Sequence, residues 1–114
     1  MGAFAVGQIV VLPFPFSDLS NKKNRPALLL AYVGKGDWLA CQITSNAYAD
    51  MLAIEINDND FMTGSLQRVS YARPGKLFTA HDSLFASVAG QLQAEKLLAI
   101  REAVVCLVRE GCYE

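Results

Sequence analysis

The hydrophobic pattern opens at residues 8–12 (Gln-Ile-Val-Val-Leu), a short apolar run that predicts a strand stopped by Pro13. Residues 13–25, rich in proline, serine, asparagine and lysine, predict a loop. The apolar run over 26–33 then predicts a second strand buried on both faces. Gly34-Lys35-Gly36-Asp37 predicts a hairpin turn, with glycines where positive φ is needed, and a third strand returns over 38–44. Ile54 and Ile56 flank Glu55 in the alternation of a half-exposed strand, and Asn57-Asp58-Asn59-Asp60 is a turn of residues that bond their own backbone. Two short strands are expected near 67–72 and 86–92, bracketing a loop that contains Arg73-Pro74-Gly75-Lys76.

From Ala94 to Arg109 the period changes to that of a helix. Leu97, Ile100, Val104, Leu107 and Val108 fall on one side, Lys96, Glu102 and Arg109 on the wetter side, and Gly111 supplies the stop. The pattern as a whole predicts a mainly β domain: a small, strongly bent barrel of five to seven strands with a carboxy-terminal α-helix. A doubly wound α/β sheet would need a larger helical share.

Length makes residues 1–114 a single domain, able to bury a core without disulfides or metal. Charged residues make up 18% against a usual share of about 25%, and hydrophobic residues 53%, so part of the apolar surface is expected to be covered in a homodimer. A net charge of −1 excludes an all-over field for nucleic acid. It leaves room for a local basic patch, because Lys22, Lys23 and Arg25 share one loop. Cys41, Cys106 and Cys112 form no Cys-x-x-Cys pair and His81 is the only histidine, so no metal site or cofactor is expected. Pro13 and Pro15 interrupt any signal-peptide core, Val6 stands where a myristoylation signal needs serine or threonine, and no run is long enough to span a bilayer. A cytoplasmic protein with no membrane partner is expected.

The strongest candidate for chemistry is Arg25. Pro26 pushes it towards an extended conformation at the mouth of a stiff strand, where its planar fork can hold two phosphate oxygens. A plain alternative is an ion pair with a carboxylate such as Asp18. The second candidate is Gln42-Ile43-Thr44-Ser45-Asn46, where the third strand ends in small polar groups. Pairing of strands 26–33 and 38–44 around Gly34–Asp37 puts Arg25 and Thr44 at the same open end, close enough for one ligand. Alone, Thr44 and Ser45 would read as turn caps. Arg73 and Lys76 can extend a basic groove or stand as solvated loop charges. Phe14 and Phe16 lie in a loop, where an aromatic ring can stack on an unpaired base. Trp38 reads as core, and His81 as a surface residue at the start of a helical turn capped by Asp82 or Ser83.

Residues 7–18 (Gly-Gln-Ile-Val-Val-Leu-Pro-Phe-Pro-Phe-Ser-Asp), Arg25-Pro26-Ala27-Leu28-Leu29-Leu30 and Gln42-Ile43-Thr44-Ser45 resemble the MazF/PemK toxins of type II toxin–antitoxin pairs. The run from Ser70 to Thr79, followed by Gly90-Gln91-Leu92, is similar to the PemK-like branch. The resemblance covers nearly the whole chain in order. It implies a homodimeric SH3-like barrel that cuts single-stranded RNA, mRNA included, at short sequences without a metal. The ribose 2′-hydroxyl attacks its own phosphate, leaving a 2′,3′-cyclic phosphate and a 5′-hydroxyl. The family's arginine falls on Arg25 and its threonine on Thr44, as catalytic residues; Lys22, Lys23, Phe14, Phe16, Ser45, Arg73 and Lys76 are the candidate RNA contacts. Arg25 suits charge stabilisation better than proton abstraction, because a guanidinium has no acceptor. Gly75-Lys76 and Phe78 replace an acidic residue, a glutamine and a basic residue common in the family, so its RNA sequence preference does not carry over. The resemblance also implies a cognate antitoxin whose disordered acidic tail occupies the same groove and masks Arg25, with DNA reached only through that antitoxin. The competing functions are a catalytically inactive or protein-directed barrel, as in CcdB-type gyrase poisons, and an antitoxin-bound co-repressor.

Overall fold

The computed structural model describes residues 4–14, 23–47 and 49–111. Seven strands form one antiparallel sheet: β1 (Gln8–Phe14), β2 (Lys23–Gly34), β3 (Asp37–Thr44), β4 (Ile54–Ile56), β5 (Phe61–Gly64), β6 (Ser70–His81) and β7 (Ser87–Leu92). A single helix, α1 (Ala94–Glu110), follows. The spatial order β4-β6-β3-β2-β1-β7-β5 puts β4 and β5 at opposite edges, although they are neighbours in sequence. Laid flat, those edges would lie about 29 Å apart, at roughly 4.8 Å per strand. Only residues 57–60 join Ile56 to Phe61, a link that spans about 18 Å at most. The sheet must therefore curl on itself, and it forms the half-barrel that the sequence pattern led one to expect.

Both faces of the curled sheet are covered. On one, Ile9, Leu28, Leu30, Cys41, Ile43, Ile56, Ala72 and Leu92 pack with Ile100 of α1, joined by Leu97 and Val104. On the other, Val10, Leu12, Ala27, Leu29, Trp38, Ala40 and Ala80 are buried. Both faces of β2 are thus occupied, which is why its sequence runs apolar without alternation. A register skip between Leu29 and Ala31 leaves Leu30 outside the ladder. Its carbonyl instead accepts two bonds from the Arg101 guanidinium, at 2.7 and 3.2 Å, which tie α1 to the centre of the sheet. Gly111 ends the helix in the left-handed conformation, with its N–H donating to the Leu107 carbonyl.

The structure corrects several sequence-based expectations. β1 continues through Pro13 to Phe14, because it has no β7 partner beyond Val11 and a residue without an N–H costs no ladder bond there. β2 starts at Lys23 and not at Pro26, so Arg25 lies inside the strand and not before it. Arg73-Pro74-Gly75-Lys76 is no loop between strands but a bulge within β6, four residues facing the single Gln42 of β3. β5 was not anticipated. Val108 is 72% exposed, because the face of α1 that meets the sheet is centred on Ile100 and Val108 has turned past its edge. His81 itself caps the turn Asp82–Leu84, its ring accepting from the Ser83 N–H. No helix among the described residues is long and apolar enough to cross a membrane.

Candidate active site

The last recorded pair between β2 and β3 is Ala27↔Gln42. Arg25 and Thr44 each stand two residues beyond it, so continuing the register sets them opposite one another, about 5 Å apart across the strands. They also share a face. Arg25 alternates with Ala27 and Leu29, and Thr44 with Gln42 and Ala40, all on the Trp38 side. Leu12, paired with Arg25 across β1, is buried in the same cluster. The Arg25 side chain is exposed at the rim of this face. Pro26 fits within β2 because it stands one residue past the last β3 pair, where no ladder bond is required of it.

Thr44 is held by its own turn. Its hydroxyl donates to the Asn46 carbonyl at 3.2 Å and accepts from the Asn46 N–H at 3.1 Å. A hydroxyl has one proton and two lone pairs, so one lone pair remains open. Donating to a bound phosphate would require Thr44 to release the Asn46 carbonyl. Ser45, next in the chain, is exposed. The sequence singles out both hydroxyls, and the turn gives them different duties: Thr44 shapes the loop while Ser45 faces solvent.

Arg73 is engaged elsewhere. Its Nε meets Asp50 Oδ2 at 2.7 Å, and Asp50 Oδ1 accepts from the Leu52 N–H at 2.9 Å. Burial pushes the Asp50 carboxyl up, but the Arg73 bond, the Leu52 N–H and the charges of Arg73 and Lys76 outweigh it and hold the group below the usual range. Its ion pair therefore adds stability above the unfolded-state pKa of about 4, and that stability is lost as pH falls through the lower folded-state value. Asp50→Asn is expected to cost about 1–2 kcal/mol at neutral pH. The gap to wild type should close in strong acid, as read by urea midpoints at stepped pH; a gap that persists there would remove the pair as its source.

Lys76 is exposed on the β6 bulge. Lys23 is exposed at the start of β2, opposite Phe14. The backbone of Phe14 belongs to β1, while Lys22, Phe16 and Asp18 lie outside the described residues. Cys41 is fully buried and donates to the Arg73 carbonyl at 3.1 Å. Burial pushes its thiol up to about 12, which makes it a poor nucleophile. His81 pairs with Asp37 at the far end of β3, about 23 Å along the strand from Thr44, too far to act with it. Among the described residues no three His, Cys, Asp or Glu side chains gather as a metal site. Sequence reasoning missed Asp50 and Tyr71. The alternation of buried Ser70 and Ala72 around Tyr71 was the available signal.

The family model for PemK-like, MazF-like toxins of type II toxin–antitoxin systems matches residues 5–108. No curated protein matches the sequence. Among solved structures, a MazE–MazF complex from Deinococcus radiodurans superposes with a TM-score of 0.74 at 20% identity, covering 96% of this chain and 98% of that one. An endoribonuclease in complex with its cognate antitoxin, from a mycobacterial species, gives 0.72 at 14% identity over 94% and 96%. Mycobacterium tuberculosis toxin MazF-mt6 gives 0.67 at 15% identity over 90% and 96%. At these identities the structural matches establish the fold, and the sequence model establishes kinship.

Proposed function

The chain belongs to the PemK-like, MazF-like family of type II toxin–antitoxin toxins, and we propose that it is itself an endoribonuclease acting on single-stranded RNA. The observation that carries this reading is the placement of Arg25 and Thr44 on one face at one end of the β2–β3 pair. The 2′-hydroxyl oxygen, giving up its proton to solvent water, bonds to the adjacent phosphorus as the bond to the 5′-oxygen breaks and that oxygen takes up a proton. The products are a 2′,3′-cyclic phosphate and a 5′-hydroxyl. Charge builds on the non-bridging oxygens during this step, and the Arg25 fork neutralises it. Arg25 can also donate a proton to the leaving oxygen. Thr44 orients the phosphate by donating its proton, once its hydroxyl is released from the Asn46 carbonyl.

Lys23, Ser45 and Lys76 are exposed and suit contact with the RNA backbone. Arg73 serves the loop through Asp50 before it serves the nucleic acid. The chain works as a homodimer in this reading: Leu98, Val105 and Val108 form an exposed apolar stripe on α1 that a second copy would cover. The relative solved in complex with its cognate antitoxin supports a cognate antitoxin here too, and in this reading an acidic tail of that antitoxin covers Arg25. The test is a mixed-sequence single-stranded RNA incubated with the protein in EDTA. Discrete fragments ending in cyclic phosphate are expected. Intact RNA from a folded protein would reject the ribonuclease in favour of a protein-directed barrel.

A further inference from the structure

The row of side chains that holds Arg25 and Thr44 continues across the sheet. Thr44 pairs with Tyr71 of β6, and Tyr71 with Glu55 of β4. Directly opposed residues share a face, which joins Leu12 to Arg25 and Thr44 to Tyr71 and Glu55; alternation from Ala27 and Gln42, the end of the β2–β3 ladder, sets the two groups on the same side in one transverse line. At about 4.8 Å per strand, Tyr71 stands roughly 10 Å from Arg25 with Thr44 between them. That is the reach from one phosphate to a neighbouring base.

Tyr71 is half-buried and forms one wall of an open cleft of about 350 Å³. Ser45, Asn46, Ala47, Asp50 and Ala53, all from the segment between β3 and β4, line the rest. Bonds hold this segment at both of its ends. The Thr44–Asn46 turn starts it, and Asp50 closes it by bonding the Ala47 carbonyl, the Leu52 N–H and Arg73. The cleft is therefore preformed and one wall is aromatic. Its volume falls at the small end of the range for ligand sites, enough for a single base.

We propose that this cleft receives the base of a nucleotide flanking the cleaved linkage, with Tyr71 as its stacking surface and Ser45–Ala47, Asp50 and Ala53 as the opposing wall. The inference rests on the ribonuclease reading and adds to it a subsite that determines specificity. A tyrosine can pack in a cleft as plain side-chain filling, and that alternative predicts no dependence on the base.

The experiment uses an RNA containing one mapped cut site, made uncleavable by a 2′-deoxy sugar there, and measures its affinity for wild type, Tyr71→Phe and Tyr71→Ala. Each is repeated with an abasic residue on either side of the cut. Tyr71→Ala is expected to weaken binding about tenfold, and Tyr71→Phe less than about twofold, because stacking needs the ring and not the hydroxyl. For one flanking position, base removal should weaken wild type by a similar factor and leave Tyr71→Ala unchanged, the non-additivity of two groups in contact. If wild type cuts the parent RNA but Tyr71→Ala keeps the full dependence on both flanking bases, the subsite is overturned and the ribonuclease stands. If wild type neither cuts nor binds RNA, the ribonuclease reading falls and the subsite with it.

Discussion

Alanine at position 25 is expected to abolish RNA cleavage and growth arrest while leaving the fold untouched. The guanidinium is the one group in the transverse row with a fixed positive charge, and the transition state carries more negative charge on phosphorus oxygens than the ground state does. Losing such a stabiliser costs on the order of a hundred- to a thousand-fold in rate, about 3–4 kcal/mol of barrier. Arg25 is exposed, so stability should shift by less than about 0.5 kcal/mol. Lysine at this site keeps the charge but loses the planar fork, and should recover only part of the rate. The decisive comparison is single-turnover cleavage in EDTA, beside sedimentation showing an unchanged mass of two chains. An alanine variant that cuts RNA as fast as its parent would remove Arg25 from the site.

Gly64→Ala should be the most destabilising of the small-residue changes. Gly64 ends β5 at a φ of +78° and pairs with Gly90 of β7. A Cβ there would run into the Ala89 carbonyl oxygen and the Gly90 Cα, both backbone atoms that cannot rotate away. Left-handed strain adds about 1 kcal/mol or more, and forcing two strands apart about 1–3 more. Together they cost about 2–4 kcal/mol, a large part of the margin of a small domain. Gly75→Ala is the control: its nearest neighbour would be a flexible Leu52 methyl at 3.7 Å, and its φ is not positive. A melting point about 10–20 °C lower for the first variant and nearly unchanged for the second is expected. Equal melting points would contradict the close approach of β5 and β7.

Local features of this fold could be read from the chain. The turn at Gly34–Asp37, the strand Asp37–Thr44, the alternation at Ile54–Ile56 and the helix ending at Gly111 all depend on residues near them in sequence. What escaped depends on partners far away. Pro13 signals a strand end until one knows that β7 no longer flanks it, and Arg73-Pro74-Gly75-Lys76 reads as a loop unless β3 is known to resume pairing beyond it. Phe61-Met62-Thr63-Gly64 carries too little apolar pattern to stand out as a strand. The site divides in the same way. Arg25 and Thr44 could be joined by counting back from a hairpin turn, whereas Tyr71 meets Thr44, and Arg73 meets Asp50, only through the crossing that sets β6 beside β3.

The pairing of β1 with β7, Gln8 to Gln91, means that the sheet joins its earliest strand to its latest. Ile100 and Arg101 then complete the core and bond the centre of β2 from the final helix. Such long loop closures belong to slow, non-local folding. Before β7 and α1 dock, the hairpin bearing Arg25 and Thr44 lacks the packing that holds its strands in place. A chain synthesised only as far as residue 86 therefore lacks the Arg25–Thr44 face in its final form, which waits on residues 87–110.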